Sequence, residues 1–209
     1  MNSQTLRLTL AGPAGAIEVL RDEPAAGTAP RGTAVIAHPH PLFGGTMDNK
    51  VVQTLARAFV QAGWSTVRFN FRGVGGSEGA HDEGRGELAD MLALVTAQAP
   101  QGPLAIAGFS FGAFVAAGAV QALAGSRPID KVVLVGTAAA RFQVPDVAPE
   151  LHDATLVIHG EQDDTVALSA VMDWARPQSL PVTVVPGGAH FFHGQLPLLK
   201  NLVLRHLRS

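Results

Sequence analysis

The sequence predicts an α/β protein: a mostly parallel sheet with an N-terminal antiparallel hairpin and helices on both faces. After an opening pair of strands, short apolar runs alternate with amphipathic stretches to the end of the 209-residue chain. Runs such as Thr33–Ala37 and Lys131–Val135 are apolar at consecutive positions, which is typical of strands buried on both faces of a parallel sheet. Because no repeat or linker interrupts this alternation, we expect residues 1–209 to form a single domain.

The N-terminal hairpin is predicted by alternation. Between Thr5 and Leu10, leucines occupy every second position, which is the period of a half-buried strand. The Gly12–Gly15 stretch, with Pro and two glycines, predicts a turn, so Ala16–Leu20 is expected to pair with the first strand.

The later elements follow from apolar runs and from a 3.6-residue period, with Gly63 and Pro100 ending the first two helices. The expected helices are Asp48–Ala62, Glu87–Ala99, Ala113–Ala124, Val166–Ala175 and Leu196–Leu207. The expected strands are Thr33–Ala37, Ser65–Phe69, Leu104–Ala107, Lys131–Val135, Thr155–Ile158 and Val182–Val185.

Composition narrows the function classes. Hydrophobic residues make up 47% and charged residues 15%, so the chain is a compact globular protein. A net charge of -2 without charged blocks argues against nucleic acid or a membrane surface as a partner. No cysteine is present, which excludes thiolate chemistry. No signal peptide or membrane-spanning run is visible, so we expect a cytoplasmic location.

The most informative stretch is Gly108-Phe109-Ser110-Phe111-Gly112, between a buried strand and a helix. A serine with glycines two residues away on each side, at a strand-to-helix turn, is typical of a nucleophile elbow. A Cβ at either glycine would collide with the neighbouring strand or helix. The hydroxyl would then be exposed at the carboxyl edge of the sheet, above a helix N-terminus that favours negative charge. We therefore predict that Ser110 is a nucleophile.

A serine nucleophile needs a base and a group that orients the base, and two later strand ends offer both. The stretch after Ile158 contains the adjacent carboxylates Asp163 and Asp164, and the stretch after Val185 contains His190 and His193. Parallel strands present their carboxyl ends at one edge of the sheet, so these groups can meet Ser110 there. The sequence therefore predicts a triad in the order Ser, Asp, His.

The chain resembles the α/β-hydrolase superfamily, and within it the small, lidless bacterial serine hydrolases related to dienelactone hydrolase. The resemblance is carried by four stretches: residues 38–50 (HPHPLFGGTMDNK), 68–75 (RFNFRGVG), 108–112 (GFSFG) and 190–194 (HFFHG). It implies an α/β-hydrolase fold without a cap domain. It also implies that Ser110 is the nucleophile, Asp163 the orienting acid and His190 the base, because Asp163 matches the family's H-G-x-x-D-x-x-V pattern. Asp164 and His193 remain the alternatives.

An oxyanion hole requires two backbone N–H groups, and we expect one from Phe111, the residue after the nucleophile. The other should come from the loop after Ala37. Pro39 and Pro41 have no N–H, which leaves three candidates: His40, Leu42 and Phe43. The resemblance favours Leu42.

Three other motifs have simpler interpretations. The pair His38-x-His40 has no clear third ligand, so no metal is expected. In Gly73–Glu78 a glutamate replaces the last glycine of the dinucleotide-binding pattern, which argues against an oxidoreductase. We expect a tight turn there, with Arg72 in a salt bridge or at the rim of the site, and no cofactor. Asp48–Lys50 is expected to start a helix rather than to contact substrate.

The expected substrate class follows from the absence of a cap over the predicted site. The Gly136–Ala154 connection, with Pro145 and Pro149, is too short for a helical cap, so the site should be open. We expect substrate contacts from four residues in the adjacent loops, His40, Phe43, Phe191 and Phe192, with the Phe111 ring beside them. Such a pocket favours small or short-chain carboxylic esters, cleaved through an acyl-enzyme by a carboxylesterase-like serine hydrolase.

Two alternatives stay open. The same site could cleave lactones, thioesters or peptides, or the chain could be a non-catalytic binding protein on the hydrolase fold. The intact Ser110, Asp163 and His190 argue against the second. If the Leu196–Leu207 helix is exposed, a homodimer is also expected.

Overall fold

The computed structural model describes residues 5–208. Its eight strands are β1 (Leu6–Gly12), β2 (Gly15–Asp22), β3 (Thr33–Ala37), β4 (Ser65–Phe69), β5 (Leu104–Phe109), β6 (Lys131–Val135), β7 (Thr155–Gly160) and β8 (Val182–Val185). They form one sheet in the order β1-β2-β4-β3-β5-β6-β7-β8. The hairpin β1-β2 is antiparallel and joins β4 antiparallel, whereas every pair from β4 to β8 is parallel. The predicted fold class is confirmed.

The helices of the described residues are α1 (Lys50–Gln61), α2 (Arg85–Gln98), α3 (Phe111–Leu123), α4 (Leu168–Ala175) and α5 (Leu196–Arg208). They cover both faces of the sheet. Side chains of α1 and α5 share one buried apolar cluster with the sheet, and those of α2, α3 and α4 share the cluster on the opposite face. This double cover explains why the strands between are apolar at consecutive positions.

The structure differs from the sequence prediction at several boundaries. Within the loop expected after Ala37, Pro41–Phe43 form a single 3-10 turn, since proline is tolerated at the first helical position. Helix α4 begins at Leu168 rather than at Val166, because the Val166 N–H donates to Asp163. Strand β5 extends to Phe109, so one residue alone, Ser110, separates it from α3.

Helix α5 does not present a free apolar face. Leu199, Val203, Leu204 and Leu207 are buried in the cluster that α5 shares with α1. The other side of α5 is exposed and includes Leu198, and the homodimer stays a prediction.

No cap domain covers the carboxyl edge of the sheet. Between β6 and β7 the chain forms only turns and a 3-10 turn at Pro149–Leu151, in agreement with the sequence prediction. Within residues 5–208, no helix has the length and apolar character needed to cross a bilayer.

Candidate active site

Ser110 occupies the sharp turn between β5 and α3. Its backbone has φ 58° and ψ -118°, a conformation that residues other than glycine rarely adopt. The turn is held by a 2.8 Å hydrogen bond from the Ser110 N–H to the Val135 carbonyl of β6. The side chain is thereby fixed at the carboxyl edge of the sheet.

The two glycines of the elbow are required by close backbone packing. A Cβ on Gly108 would lie 2.1 Å from the Gly112 carbonyl oxygen. A Cβ on Gly112 would lie 2.4 Å from the carbonyl oxygen of Ala37, at the end of β3. Both distances are far below van der Waals contact, which confirms the steric reason predicted from the sequence.

Ser110, His190 and Asp163 are brought together from three different strand ends. The Ser110 Oγ lies 3.0 Å from His190 Nε2, and His190 Nδ1 lies 2.7 Å from Asp163 Oδ2. With the Nδ1–H tautomer, His190 donates to the carboxylate and accepts from the serine hydroxyl. All three side chains are buried or nearly so.

Both oxygens of the Asp163 carboxylate have hydrogen-bond partners. Oδ1 accepts from the N–H groups of Thr165 and Val166 at 2.9 and 2.7 Å, while Oδ2 faces His190. Burial raises the pKa of Asp163, but the hydrogen bonds from His190 and Val166 outweigh burial, so that its pKa lies below the ordinary value. Asp163 is thus a stable anion behind the imidazole.

The two alternatives lie outside this arrangement. Asp164 is exposed, and its carboxylate accepts from the Thr165 hydroxyl at 3.3 Å. His193 is also exposed, and its ring stacks on Phe191 with 6.0 Å between centroids.

His159 lies beside Asp163, and the sequence alone did not reveal the role of this histidine. This fully buried side chain donates from Nε2 to the Val166 carbonyl at 2.8 Å, and the same nitrogen lies 3.4 Å from Asp163 Oδ2. Burial lowers its pKa, so it is neutral at pH 7. The H-G-x-x-D-x-x-V pattern thereby acquires a structural meaning, because its first, fifth and last residues bond to one another.

The prediction of Leu42 as an oxyanion donor disagrees with the structure. The Leu42 N–H donates to His40 Nδ1 at 3.3 Å within the 3-10 turn, and the side chain is 68% exposed. The Phe43 N–H is also used, because it donates to the His40 carbonyl at 3.1 Å. Of the three candidates, His40 alone has a backbone N–H that donates to none of the described residues.

His38 fills a structural role. Its Nδ1–H donates to the Pro39 carbonyl at 2.6 Å, and its Nε2 accepts from the Phe71 N–H at 2.9 Å. Burial lowers the pKa of His38 to about 4. With these two hydrogen bonds, both ring nitrogens of His38 have partners within the chain.

A cavity of about 460 Å³ opens beside Ser110 and His190. His40, Phe43 and Phe191 line it, as predicted, and Phe43 is 73% exposed at its mouth. The other residues lining it include Gly45, Asn49, Arg141 and Thr165.

Phe192 was wrongly predicted as a substrate contact. It is fully buried in the apolar cluster of α1 and α5. The Phe111 ring is likewise buried, in the opposite cluster, where it packs on His40 with 4.8 Å between ring centroids. Only the backbone of Phe111 is available to the site.

The remaining motifs take the predicted structural roles. Arg72 makes two 2.8 Å hydrogen bonds to the buried carboxylate of Asp90, which form a salt bridge, and it does not line the cavity beside Ser110. Asn49 caps α1 by accepting from the Val51 N–H at 2.9 Å.

Comparison with known proteins agrees with the fold. The chain is 33% identical over 199 residues to an uncharacterized protein of Rickettsia prowazekii, a match that covers 87% of this chain and 79% of that protein. A solved a/b serine hydrolase without lid from Xanthomonas campestris is 38% identical with a TM-score of 0.87, covering 100% of this chain and 95% of the other. An alpha-beta serine hydrolase homologue from Coxiella burnetii is 37% identical with a TM-score of 0.81, covering 97% of each chain.

The family model described as the alpha/beta hydrolase fold matches residues 40–154, more than half of the chain. With the sheet order, the serine elbow and these relatives, the chain belongs to the α/β-hydrolase fold family.

Proposed function

We propose that this hydrolase cleaves small or short-chain carboxylic esters through an acyl-enzyme on Ser110. The observation that carries the proposal is the position of His190, within hydrogen-bond distance of both Ser110 Oγ and Asp163 Oδ2. A serine hydroxyl is unreactive until a base removes its proton, and this geometry supplies the base and its orienting anion together.

In the proposed reaction, Ser110 Oγ attacks the ester carbonyl while His190 Nε2 takes the hydroxyl proton. The tetrahedral intermediate collapses as His190 returns that proton to the departing alcohol, which leaves the acyl group on Ser110. A water molecule then attacks the acyl-enzyme and loses a proton to His190, and the second tetrahedral intermediate collapses as His190 returns this proton to Ser110 Oγ and the acid leaves. Asp163 keeps the imidazole in one tautomer and stabilises its protonated form in both steps.

The oxyanion hole is assigned to the backbone N–H groups of Phe111 and His40. Phe111 follows the nucleophile at the first turn of α3, where its N–H has no partner within the helix. His40 is the remaining candidate of its loop, and its ring packs directly on Phe111. Two such donors aimed at the developing negative charge stabilise the transition state more than the substrate.

The size and lining of the cavity support small esters. A volume of about 460 Å³ suits a compact substrate, and the exposed Phe43 and Phe191 rings offer apolar contact to a short acyl or alcohol group. With no cap over the site, activation at an interface is unnecessary.

The test is turnover of 4-nitrophenyl esters of increasing acyl length, with Ser110→Ala as the blank, combined with labelling by a fluorophosphonate. We expect acetate and butyrate to be the best substrates and Ser110→Ala to lower kcat by roughly 10⁴-fold or more. Absence of labelling on Ser110, or equal turnover by Ser110→Ala, would refute the proposal. A parallel panel of lactones, thioesters and peptides distinguishes other acyl transfers in the same site, and inactivity on all of them would favour a binding protein.

A further inference from the structure

Arg141 is the only permanently charged residue among the described residues that line the cavity of Ser110 and His190. No carboxylate lines this cavity, because Asp163 lies behind His190. A substrate in the cavity therefore meets one fixed positive charge and no fixed negative charge.

The Arg141 guanidinium makes no ion pair with any carboxylate of the described chain. It lies instead over the ring of Phe43, 5.7 Å from the centroid, at the mouth of the cavity. A cation in this position keeps its hydrogen-bond donors free while the aromatic face limits where it can move. Arg141 also acts on a second residue that lines the cavity: the pKa of His40 is lowered first by burial, then by its electrostatic interactions with His81 and with the Arg141 guanidinium.

The backbone that carries Arg141 is fixed to the elbow helix. Its N–H donates to the Ala138 carbonyl at 3.2 Å, and the next residue, Phe142, stacks on Phe114 of α3 with 4.7 Å between centroids. The guanidinium is thus presented by a turn that packs on α3, the helix that directly follows Ser110. Only turns and one 3-10 turn follow between β6 and β7, and Arg141 lines the cavity beside Ser110.

We propose that the site selects esters that carry a carboxylate, and that Arg141 is the residue that binds this carboxylate. The inference deepens the proposed ester cleavage and rests on it. A single guanidinium presents two parallel N–H donors that match the two oxygens of a carboxylate, whereas a neutral ester of the same size leaves those donors to water. The Phe43 and Phe191 rings contact the apolar part between the carboxylate and the ester bond.

The experiment compares matched pairs of esters that differ only in a carboxylate. On the alcohol side the pair is 4-acetoxybenzoate and 4-methylphenyl acetate; on the acyl side it is monomethyl adipate and methyl hexanoate, and in both neutral partners a methyl group replaces the carboxylate. The quantity measured is the ratio of kcat/KM for the charged ester to that for its neutral partner, in the wild type, Arg141→Gln, Arg141→Lys and Arg205→Gln. Arg205 is exposed on α5 outside the cavity, so its variant removes the same charge elsewhere.

We expect Arg141→Gln to lower the ratio by about tenfold in at least one pair, Arg141→Lys to recover part of the loss, and Arg205→Gln to match the wild type. The pair that responds tells which side of the ester bond carries the carboxylate. Raising the salt concentration should weaken the wild-type preference. An equal ratio in wild type and Arg141→Gln in both pairs, or an equal loss in Arg205→Gln, would overturn the inference.

Failure of the proposed function has a different signature. If the wild type turns over no ester, calorimetric binding of the same pairs to Ser110→Ala still tests Arg141. Tighter binding of the charged esters that is lost in Ser110→Ala/Arg141→Gln supports the inference, and equal binding of charged and neutral esters refutes it.

Discussion

Gly112 and Ala37 approach so closely that a Cβ on the glycine would lie 2.4 Å from the alanine carbonyl oxygen. This contact joins the first turn of α3 to the end of β3. Both proposed oxyanion donors are next to it, since Phe111 precedes Gly112 and His40 follows Ala37 by three residues. The geometry of the hole is therefore set by backbone packing.

Gly112→Ala is expected to destabilise the protein by at least about 3 kcal/mol, because the backbone of β3 or α3 must move to admit one methyl group. Gly118→Ala is the matched control on the same helix. Its Cβ would meet only Leu88 side-chain atoms at 3.4 Å or more, and alanine favours a helix over glycine by up to about 1 kcal/mol. Thermal unfolding of the two variants checks this, and similar melting temperatures would contradict it.

Asp163→Asn and Asp164→Asn should differ sharply although the residues are adjacent. Asparagine at 163 can hold His190 in the wrong tautomer and supplies no negative charge for the imidazolium, so kcat should fall roughly 10³- to 10⁴-fold. Asp164 is exposed and remote from His190, and its variant should retain kcat within about twofold. Steady-state kinetics on a short-chain ester measures kcat for both variants. A comparable loss of kcat in the two would reject Asp163 as the orienting acid.

His40→Pro and His40→Ala separate the backbone N–H of this residue from its ring. His40 has φ -53°, which suits proline, so His40→Pro removes the N–H without a forced change of the φ angle. We expect His40→Pro to lower kcat about 10²- to 10³-fold relative to His40→Ala, which keeps the N–H and loses the imidazole. Equal kcat values in the two variants would show that the second oxyanion donor is elsewhere.

Acid should destabilise the fold through His38. Its folded pKa is about 4, below the unfolded value of about 6.5, so the unfolded chain binds more protons between these limits. The free energy of unfolding therefore rises with pH across this window. The contribution of His38 to it is fully present above about pH 6.5 and is lost as the pH falls towards 4. From pH 8 to pH 5, protonation of His38 alone should lower the free energy of unfolding by about 2 kcal/mol.

Urea unfolding at pH 8 and pH 5 measures this loss. His38→Gln should show a smaller loss of unfolding free energy than the wild type, whereas His193→Gln, at an exposed position, should show the wild-type loss. A wild-type pH dependence in His38→Gln would mean that other groups account for acid sensitivity.

The sequence predicted the sheet well because its central strands are short apolar runs between clear turn signals. Strands β3, β4, β6 and β8 begin and end at the predicted residues. Chain order also predicted which three groups meet, because parallel strands present their carboxyl ends at one edge. The choice of Asp163 over Asp164 depended on a family pattern, and the structure explains it by the turn in which Val166 and Thr165 donate to Asp163.

Loop details could not be predicted, since they depend on backbone conformations that leave no periodic signal. The 3-10 turn that engages the Leu42 N–H is one example. Phe191 and Phe192 are a second, because two adjacent aromatic residues in a loop give no indication of which one faces the core. Arg141 is a third example, because an isolated arginine in a connection without periodicity gives no sign that its side chain lines the cavity.

The uncovered carboxyl edge has a consequence for the fate of the acyl group. An enzyme that must transfer an acyl group to a chosen alcohol has to keep water away from the intermediate, and that requires a closing element. Here the connection between β6 and β7 offers only turns and one 3-10 turn, none of which closes over the site. If the proposed ester cleavage holds, we expect the acyl group on Ser110 to pass to water rather than to a chosen alcohol.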